Sequence, residues 1–207
     1  QKSARFNFSQ TYLKHGYKEL TIPANEGGKH KINPNSLHIW PRGKFMLIAL
    51  ANIDGTFTST LFMPFEGDVS FANLETEEAV STFFNDNFPD AVALMPNLIG
   101  EFFEHPTSTL VTVQCAPWNY KNKVMLLGDA AHAIVPFFGQ GMNCGFEDCY
   151  DFDKMLGEAG SMDNMFAEFS EQRTPNTNAI SRMAIQNYWE MCDSTADPLF
   201  LLRKNIE

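Results

Sequence analysis

The chain has 207 residues, of which 44% are hydrophobic and 13% aromatic, and its formal net charge is −10. This apolar content is too high for a disordered chain and is sufficient for one or two small cores. Because no cluster of Lys and Arg interrupts the negative charge, the composition argues against nucleic-acid binding by a basic face. No uninterrupted apolar run reaches the length of a membrane span, and no signal peptide is visible.

The cysteines form neither a CxxC pair nor a zinc-ligand pattern; they are Cys115, Cys144, Cys149 and Cys192. The histidines are scattered, and no pair has the spacing of helical metal ligands. We therefore expect reduced thiols, no metal site and a cytoplasmic location. For a eukaryotic protein, the alternative is membrane attachment of the full-length chain through a segment outside these residues.

The first half of the chain is rich in β-branched and aromatic residues. Strand-length segments of this kind cover residues 15–22, 37–40, 45–52, 57–65 and 109–115. The sequence Ile53-Asp54-Gly55-Thr56 between two of them predicts a hairpin turn. Because few helices separate these strands, we expect a mostly antiparallel sheet.

The rest of the chain has helical patterns. A helix is predicted to start at Thr76 and to stop near Phe88, and a second short helix is predicted over 91–103. From Gly141 onward the helical pattern continues through 161–173, 175–192 and 198–205, with Pro175 in a first turn. The sequence therefore predicts an α+β fold with a boundary near residue 120, between a sheet domain (1–120) and a strand–turn–helix region with C-terminal helices (121–207).

Residues 124–148 are the most informative stretch. A short apolar strand ends in Gly128-Asp129, where glycine permits close approach of a bulky ligand and the carboxylate can accept hydrogen bonds from a polyol such as a ribityl chain. A glycine-rich turn then opens a helix near Met142 and Asn143, whose amides would favour the negative charge of a reduced flavin. The alternative is a buried strand–turn–helix corner without a ligand.

The segment GDAAHAIVPFFGQGMNCGFED at 128–148 resembles the second flavin motif of the class A flavoprotein aromatic hydroxylases. The blocks HGYKEL (15–20), LHIWPRGKFMLIALAN (37–52), FTSTLF (57–62) and NYWEM (187–191) resemble, in the same order, the members of that family that hydroxylate L-kynurenine. The resemblance implies a monooxygenase that uses FAD, NADPH and O2 and forms 3-hydroxykynurenine in tryptophan catabolism. It places the cofactor contacts on Gly128, Asp129, Pro136, Gly139, Gln140, Gly141, Met142 and Asn143.

The same resemblance indicates residues that would line the substrate pocket. Ile48, Leu50 and Phe62 would wall it, although as isolated residues they read as plain core. Phe137 and Phe138 would face flavin and substrate and exclude water, where the alternative is a core turn. Asn187, Glu190 and Met191 share one helical face. The resemblance puts Asn187 at the amino-acid carboxylate of the substrate and the other two at its ring or amine end, against the alternative of a solvated Glu beside a buried Met.

No acid or base catalyst is assigned. The pair Asp129 and His132 invites a catalytic interpretation, but no nucleophile lies beside it, so we favour a structural role. The chain begins at Gln1 and lacks the G-x-G-x-x-G fingerprint that holds a dinucleotide pyrophosphate. The resemblance therefore predicts the C-terminal part of a longer enzyme, with the main carboxylate clamp elsewhere and weak FAD binding by these residues alone.

Two other functions stay open. One is a class A hydroxylase that acts on a phenol, and the NYWEM block argues against it because a simple phenol needs no polar contact to an amino-acid tail. The other is a non-catalytic fragment or binding module that keeps the substrate wall without the cofactor, which the absent pyrophosphate fingerprint favours if these 207 residues are the whole polypeptide. The resemblance also leaves a homodimer open.

Overall fold

The structure is a computed structural model that describes residues 6–158 and 164–193, together with residues 199, 200, 202 and 206. The chain divides into two compact units. The sheet unit comprises Leu13–Leu110 and Trp189–Glu207, and the motif unit comprises Gln1–Tyr12 and Val111–Tyr188. The predicted division into domains at residue 120 stays a prediction.

Five strands form the main sheet, in the order β2-β3-β4-β1-β5. They are β1 (Asn7–Ile22), β2 (His38–Pro41), β3 (Met46–Ala51), β4 (Phe57–Pro64) and β5 (Ser108–Ala116), and β1 and β5 contribute residues to both units. The pairs β1–β4, β2–β3 and β3–β4 are antiparallel, which confirms the predicted sheet. The predicted hairpin is also confirmed, since Asn52 N donates to Thr56 O over 2.9 Å and Gly55 has a φ of 89°.

The core of the sheet unit is apolar and largely aromatic. Along β3 and β4, alternate side chains such as Leu47, Ala49 and Leu61 point to one face of the sheet, as the two-residue period of a strand requires. Helices cover that face with buried phenylalanines, which are Phe83, Phe84, Phe88 and Phe102. The 19 phenylalanines of the sequence are thus partly explained by this cluster.

Three short helices follow β4 in the sheet unit, after a 3-10 turn at Phe71–Asn73. The first, α1 (Glu77–Asn87), begins where it was predicted, with the Thr76 hydroxyl accepting a hydrogen bond from Ala79 N. The single helix predicted over 91–103 is wrong: there are two, α2 (Pro89–Val92) and α3 (Leu98–Glu104). Pro96 lies between them, and its missing N–H and fixed φ disfavour a continuous helix.

The motif unit contains a short hairpin of β6 (Asn119–Tyr120) and β7 (Val124–Met125), followed by α4 (Asp129–His132) and a 3-10 turn at Pro136–Phe138. Two long helices follow, α5 (Gly141–Glu158) and α6 (Met165–Cys192), and α6 continues past Tyr188 into residues of the sheet unit. Among the described residues, no helix combines the length and the apolar character that a bilayer crossing requires.

Pro175 is inside α6 and not in a first turn, so the prediction of two helices that meet there is wrong. The helix persists because it buries residues at four-residue spacing on both sides of the proline, namely Phe169, Arg173, Thr177 and Ser181. Tertiary packing therefore outweighs the lost backbone hydrogen bond. Of the predicted helical segments, residues 161–163 and residues 198, 201 and 203–205 lie outside the described residues.

Candidate functional site

The Gly128-Asp129 turn is the first part of the candidate site, and it lies in the motif unit. Gly128 has a φ of 58° and a ψ of −143°, a combination that favours glycine. Its carbonyl accepts hydrogen bonds from Ala131 N (2.8 Å) and His132 N (2.9 Å), which starts α4. Asp129 is the first residue of α4 and is exposed. The turn therefore presents a carboxylate at the surface of the unit.

The glycine-rich loop is the second part. Gly139 adopts the left-handed conformation with a φ of 61°, and Gln140 Nε2 donates to Phe138 O over 3.0 Å. The Gln140 side-chain oxygen accepts from Asn143 Nδ2 (3.0 Å), and the Gln140 carbonyl accepts from Cys144 N (2.8 Å). These contacts start α5 at Gly141, and the first amides of a helix have no acceptor within it. The start of α5 thus favours negative charge.

All eight predicted cofactor residues lie in this turn and this loop, and none of them is buried. The exposed ones are Asp129, Pro136, Gly139, Met142 and Asn143, while Gly128, Gln140 and Gly141 are half-buried. The arrangement offers an exposed carboxylate, two glycines at positive φ and a helix start within one unit. These are groups that suit a polar, partly anionic cofactor edge.

Beneath the turn lies a buried network of charges that the sequence did not reveal. Asp148 on α5 is fully buried and accepts hydrogen bonds from Gly128 N (2.9 Å), His132 Nε2 (2.5 Å) and Arg173 Nε (3.0 Å). Arg173 on α6 also contacts Glu147 at 2.9 Å and Asp151 at 3.3 Å. His132 therefore binds Asp148, which supports the structural role expected for this histidine, and Trp118 packs against its ring at a centroid distance of 5.0 Å.

The network keeps its charges despite burial. Burial raises the pKa of Asp148, but hydrogen bonds from His132, Gly128 and Arg173 outweigh it, so the pKa lies below the ordinary value. Burial lowers the pKa of Arg173, yet its bonds to Glu147 and Asp148 leave that pKa above the ordinary value. An ionised Asp148 is therefore matched by an ionised Arg173.

Phe137 and Phe138, predicted to face flavin and substrate, differ in environment. Phe137 is buried and stacks on Tyr188 at a centroid distance of 4.2 Å, whereas Phe138 is exposed. Asn187 Nδ2 donates to the Phe137 carbonyl over 2.6 Å. Within the motif unit, the structure thus connects the predicted substrate residue Asn187 directly to the aromatic loop.

The predicted wall residues Ile48, Leu50 and Phe62 lie in the sheet unit, on the face opposite the aromatic core. Ile48 pairs with Thr60, while Phe62 pairs with Met46 across the hairpin and with Tyr17 on β1, whose ring centroid is 6.1 Å away. Ile48 and Phe62 are buried, whereas Leu50 is 50% exposed. The hairpin therefore places all three on one sheet face, as expected from strand alternation.

Glu190 and Met191 follow Asn187 on α6 and belong to the sheet unit. Glu190 is half-buried and Met191 is buried. Near them in the same unit, the His15 ring lies edge-on to Trp189 at 5.2 Å, and burial lowers the pKa of His15. Within the described ranges, no group of three or more His, Cys, Asp or Glu side chains could hold a metal ion.

Residues 88–184 match a sequence family described as an FAD binding domain. A kynurenine 3-monooxygenase of Flavobacterium psychrophilum is 54% identical over 208 residues, which cover 100% of this chain and 46% of that protein. A kynurenine 3-monooxygenase of Dictyostelium discoideum is 51% identical over 220 residues, covering 100% of this chain and 48% of that protein. The chain thus spans about half the length of the curated relatives that it matches.

Solved structures share the fold. A tetrameric 2-methyl-3-hydroxypyridine-5-carboxylic acid oxygenase superposes with a TM-score of 0.72 at 17% identity, over 95% of this chain and 53% of that one. A Klebsiella pneumoniae HpxO variant in complex with FAD superposes with a TM-score of 0.68 at 14% identity, over 87% of this chain and 46% of that one. These likenesses support the α+β fold with its antiparallel sheet.

Proposed function

Because the chain is homologous along its whole length to kynurenine 3-monooxygenases, we propose that the protein containing it hydroxylates L-kynurenine to 3-hydroxykynurenine. The proposed reaction consumes NADPH and O2 and depends on FAD. The observation that carries the proposal is the identity of 54% extended over all of the chain, across both the sheet unit and the motif unit.

The residues of the motif unit fit a flavin. Asp129 is an exposed carboxylate that can accept hydrogen bonds from ribityl hydroxyls, and the start of α5 at Gly141 can stabilise negative charge on the flavin. The loop from Pro136 to Asn143 would supply the remaining contacts. When bound, FAD supplies the redox chemistry, with electrons from NADPH and an oxygen atom from O2. The chain's own residues then bind the flavin and the substrate, orient the substrate ring and exclude water.

On the substrate side, we assign Ile48, Leu50 and Phe62 to the apolar wall and Phe137 and Phe138 to the loop that excludes water. An aromatic ring requires apolar walls with few polar contacts, and the buried Ile48 and Phe62 provide such a surface. Asn187 is assigned to the carboxylate end of the substrate, with Glu190 and Met191 toward its ring or amine.

The test uses the whole protein in which these residues occur. Purified protein should bind FAD, and L-kynurenine should stimulate NADPH oxidation with release of a product heavier by one oxygen atom. Asp129→Ala should weaken FAD binding by roughly one to two decades, the scale of a hydrogen bond to a charged group. Asp153→Ala, an exposed change on α5, is the matched control and should leave FAD affinity unchanged. Hydroxylation of simple phenols with no turnover of kynurenine would contradict the proposal.

We also place the protein in the cytoplasm and retain the homodimer as a prediction. The cytoplasmic assignment is supported by the free thiols of Cys115, Cys144 and Cys149. Fractionation of cells and light scattering of the whole protein would test the two assignments separately.

A further inference from the structure

Helix α4 is too short to hold its own position. It has four residues, from Asp129 to His132, and a single helical turn is unstable in isolation. The direction in which Asp129 is presented therefore depends on contacts made at the two ends of this turn. Both ends are bonded to the same buried side chain, Asp148.

Helix α5 passes next to the turn. A Cβ placed on Gly145 would lie 3.7 Å from the Cα of Gly128, an ordinary van der Waals distance, so the two backbones are neighbours. Asp148 is three residues further along α5, on the same side as Gly145. Its carboxylate consequently reaches Gly128 N, before α4, and His132 Nε2, at the end of α4.

The structure assigns to Asp148 the role of a positioning residue for the flavin site: it holds both ends of α4 and thereby fixes the orientation of Asp129. This inference rests on the proposed function, since it treats Asp129 as a flavin contact. Asp148 itself is fully buried and touches no cofactor in this scheme; it acts through Gly128 and His132.

The rest of the network keeps this carboxylate in place. Arg173 donates from Nε to Asp148 Oδ1 over 3.0 Å and is in turn held by Glu147 and Asp151. The two oxygens of Asp148 accept different hydrogen bonds: Oδ2 accepts from Gly128 and His132, and Oδ1 accepts from Arg173. Of the two His132 ring nitrogens, only Nε2 has a hydrogen-bond partner among the described residues, so Asp148 alone orients the ring by hydrogen bonding.

Asp148→Asn in the whole protein tests the role, because Asn keeps the shape but offers one acceptor oxygen instead of two. We expect FAD affinity of the apoprotein to fall about tenfold or more, with a changed visible circular dichroism of the bound flavin. Asp153→Asn makes the same chemical change at an exposed position of α5 and should alter neither.

A second control separates positioning from stability. Thr177→Ala removes a buried hydroxyl whose hydrogen bonds stay within α6. The two variants are compared by the thermal midpoint of the apoprotein and by FAD affinity. If Asp148→Asn and Thr177→Ala have equal losses in both measurements, Asp148 has only a structural role and the inference fails. Weaker FAD binding in Asp148→Asn than in Thr177→Ala at a matched midpoint supports it.

If Asp148→Asn does not fold, His132→Asn removes one end of the hold while Gly128 and Arg173 keep their bonds to Asp148. We then expect a several-fold loss of FAD affinity, and unchanged affinity overturns the inference.

Asp129→Ala distinguishes this failure from that of the proposed function. Normal FAD affinity in Asp129→Ala contradicts the flavin site itself, whereas a loss there combined with normal affinity in the Asp148 and His132 variants contradicts only the positioning role.

Discussion

The two units of the molecule use buried side chains for different purposes. The sheet unit buries a continuous apolar cluster in which phenylalanines from α1 and α3 pack on β3 and β4. The motif unit has a smaller apolar cluster that includes Trp118 and Phe169, and beside it Asp148 forms a buried hydrogen-bond network with His132 and Arg173. Apolar packing tolerates small adjustments, whereas a hydrogen-bond network fixes direction. The second arrangement suits a turn that must present one carboxylate in a defined orientation.

Helix α5 shows the same contrast within one element. Its inner face carries Cys144 and Asp148, both buried, while Met142, Phe146 and Tyr150 on the other side are exposed. In the sheet unit, by comparison, Val80, Phe83 and Phe84 make the buried face of α1. Hydrophobicity therefore identifies the core side of α1, whereas on α5 it marks both the exposed side and the inner Phe152 and Met155, which pack on the apolar cluster of the motif unit.

The largest expected change in stability distinguishes the buried aromatic residues of α1 from the exposed ones of α5. Phe84→Ala removes a fully buried ring that contacts Phe83, Phe88 and Phe102, so unfolding of the sheet unit should become easier by about 3–5 kcal/mol. Phe146→Ala, at a ring that is 66% exposed in the described chain, should change stability by about 0.5 kcal/mol or less. Urea denaturation of both variants measures this, and equal losses would contradict the comparison.

The next effect tests the charged centre of the motif unit. Arg173→Met keeps much of the side-chain volume but leaves Asp148 buried without its cation, which should cost about 3 kcal/mol or more. Arg182→Met lies on the same helix at an exposed position and is the matched control, with an expected change of about 0.5 kcal/mol or less. If the two variants have the same urea midpoint of unfolding, the hydrogen-bond network around Asp148 does not stabilise the motif unit.

A smaller effect concerns acid. The pKa of Asp148 is lower in the folded protein than in the unfolded chain, so its contribution to stability is present above the unfolded value, about 3.9, and is lost as pH falls through the folded value. The groups that face this carboxyl are the Gly128 amide, His132 and Arg173. As the pH falls from about 5 to below the folded pKa of Asp148, the free energy of unfolding should therefore decrease less for Asp148→Asn than for the wild type. Parallel curves would show that Asp148 is not responsible.

The sequence was sufficient for most of the sheet because strand alternation and the Ile53–Thr56 turn are local signals. The first half of β1, residues 7–14, lies outside the predicted segment 15–22. The sequence was also sufficient to place the glycine-rich motif before a helix. It was insufficient for α6, where the burial of Phe169 and Arg173 on one side and Thr177 on the other carries the helix through Pro175. Local preference predicted a break there, and long-range packing decided otherwise.

The buried partners of the turn were missed for a similar reason. Asp148 ends the motif that was singled out, but its partner Arg173 is 25 residues away on another helix, and no spacing rule connects the two. One signal was available: a carboxylate at three residues from Gly145 on a helix that must approach the turn closely. A charged residue on the core side of α5 contradicts the usual apolar pattern, and such exceptions are expected near functional sites.

The smallest effect concerns Asn187, the residue that joins the aromatic loop to the proposed substrate end. Asn187→Ala should remove the bond to Phe137 O, a neutral hydrogen bond worth about 0.5–1.5 kcal/mol, and because Phe137 lies in the proposed flavin loop, FAD binding should weaken by no more than that amount. If Asn187 also contacts the substrate carboxylate, the mutation should weaken the binding of L-kynurenine more than that of an analogue without the carboxylate. The difference is the coupling between the mutation and the loss of the carboxylate. Binding of both ligands to wild type and variant gives this coupling. Equal weakening of the two ligands would show that Asn187 acts only through the Phe137 loop.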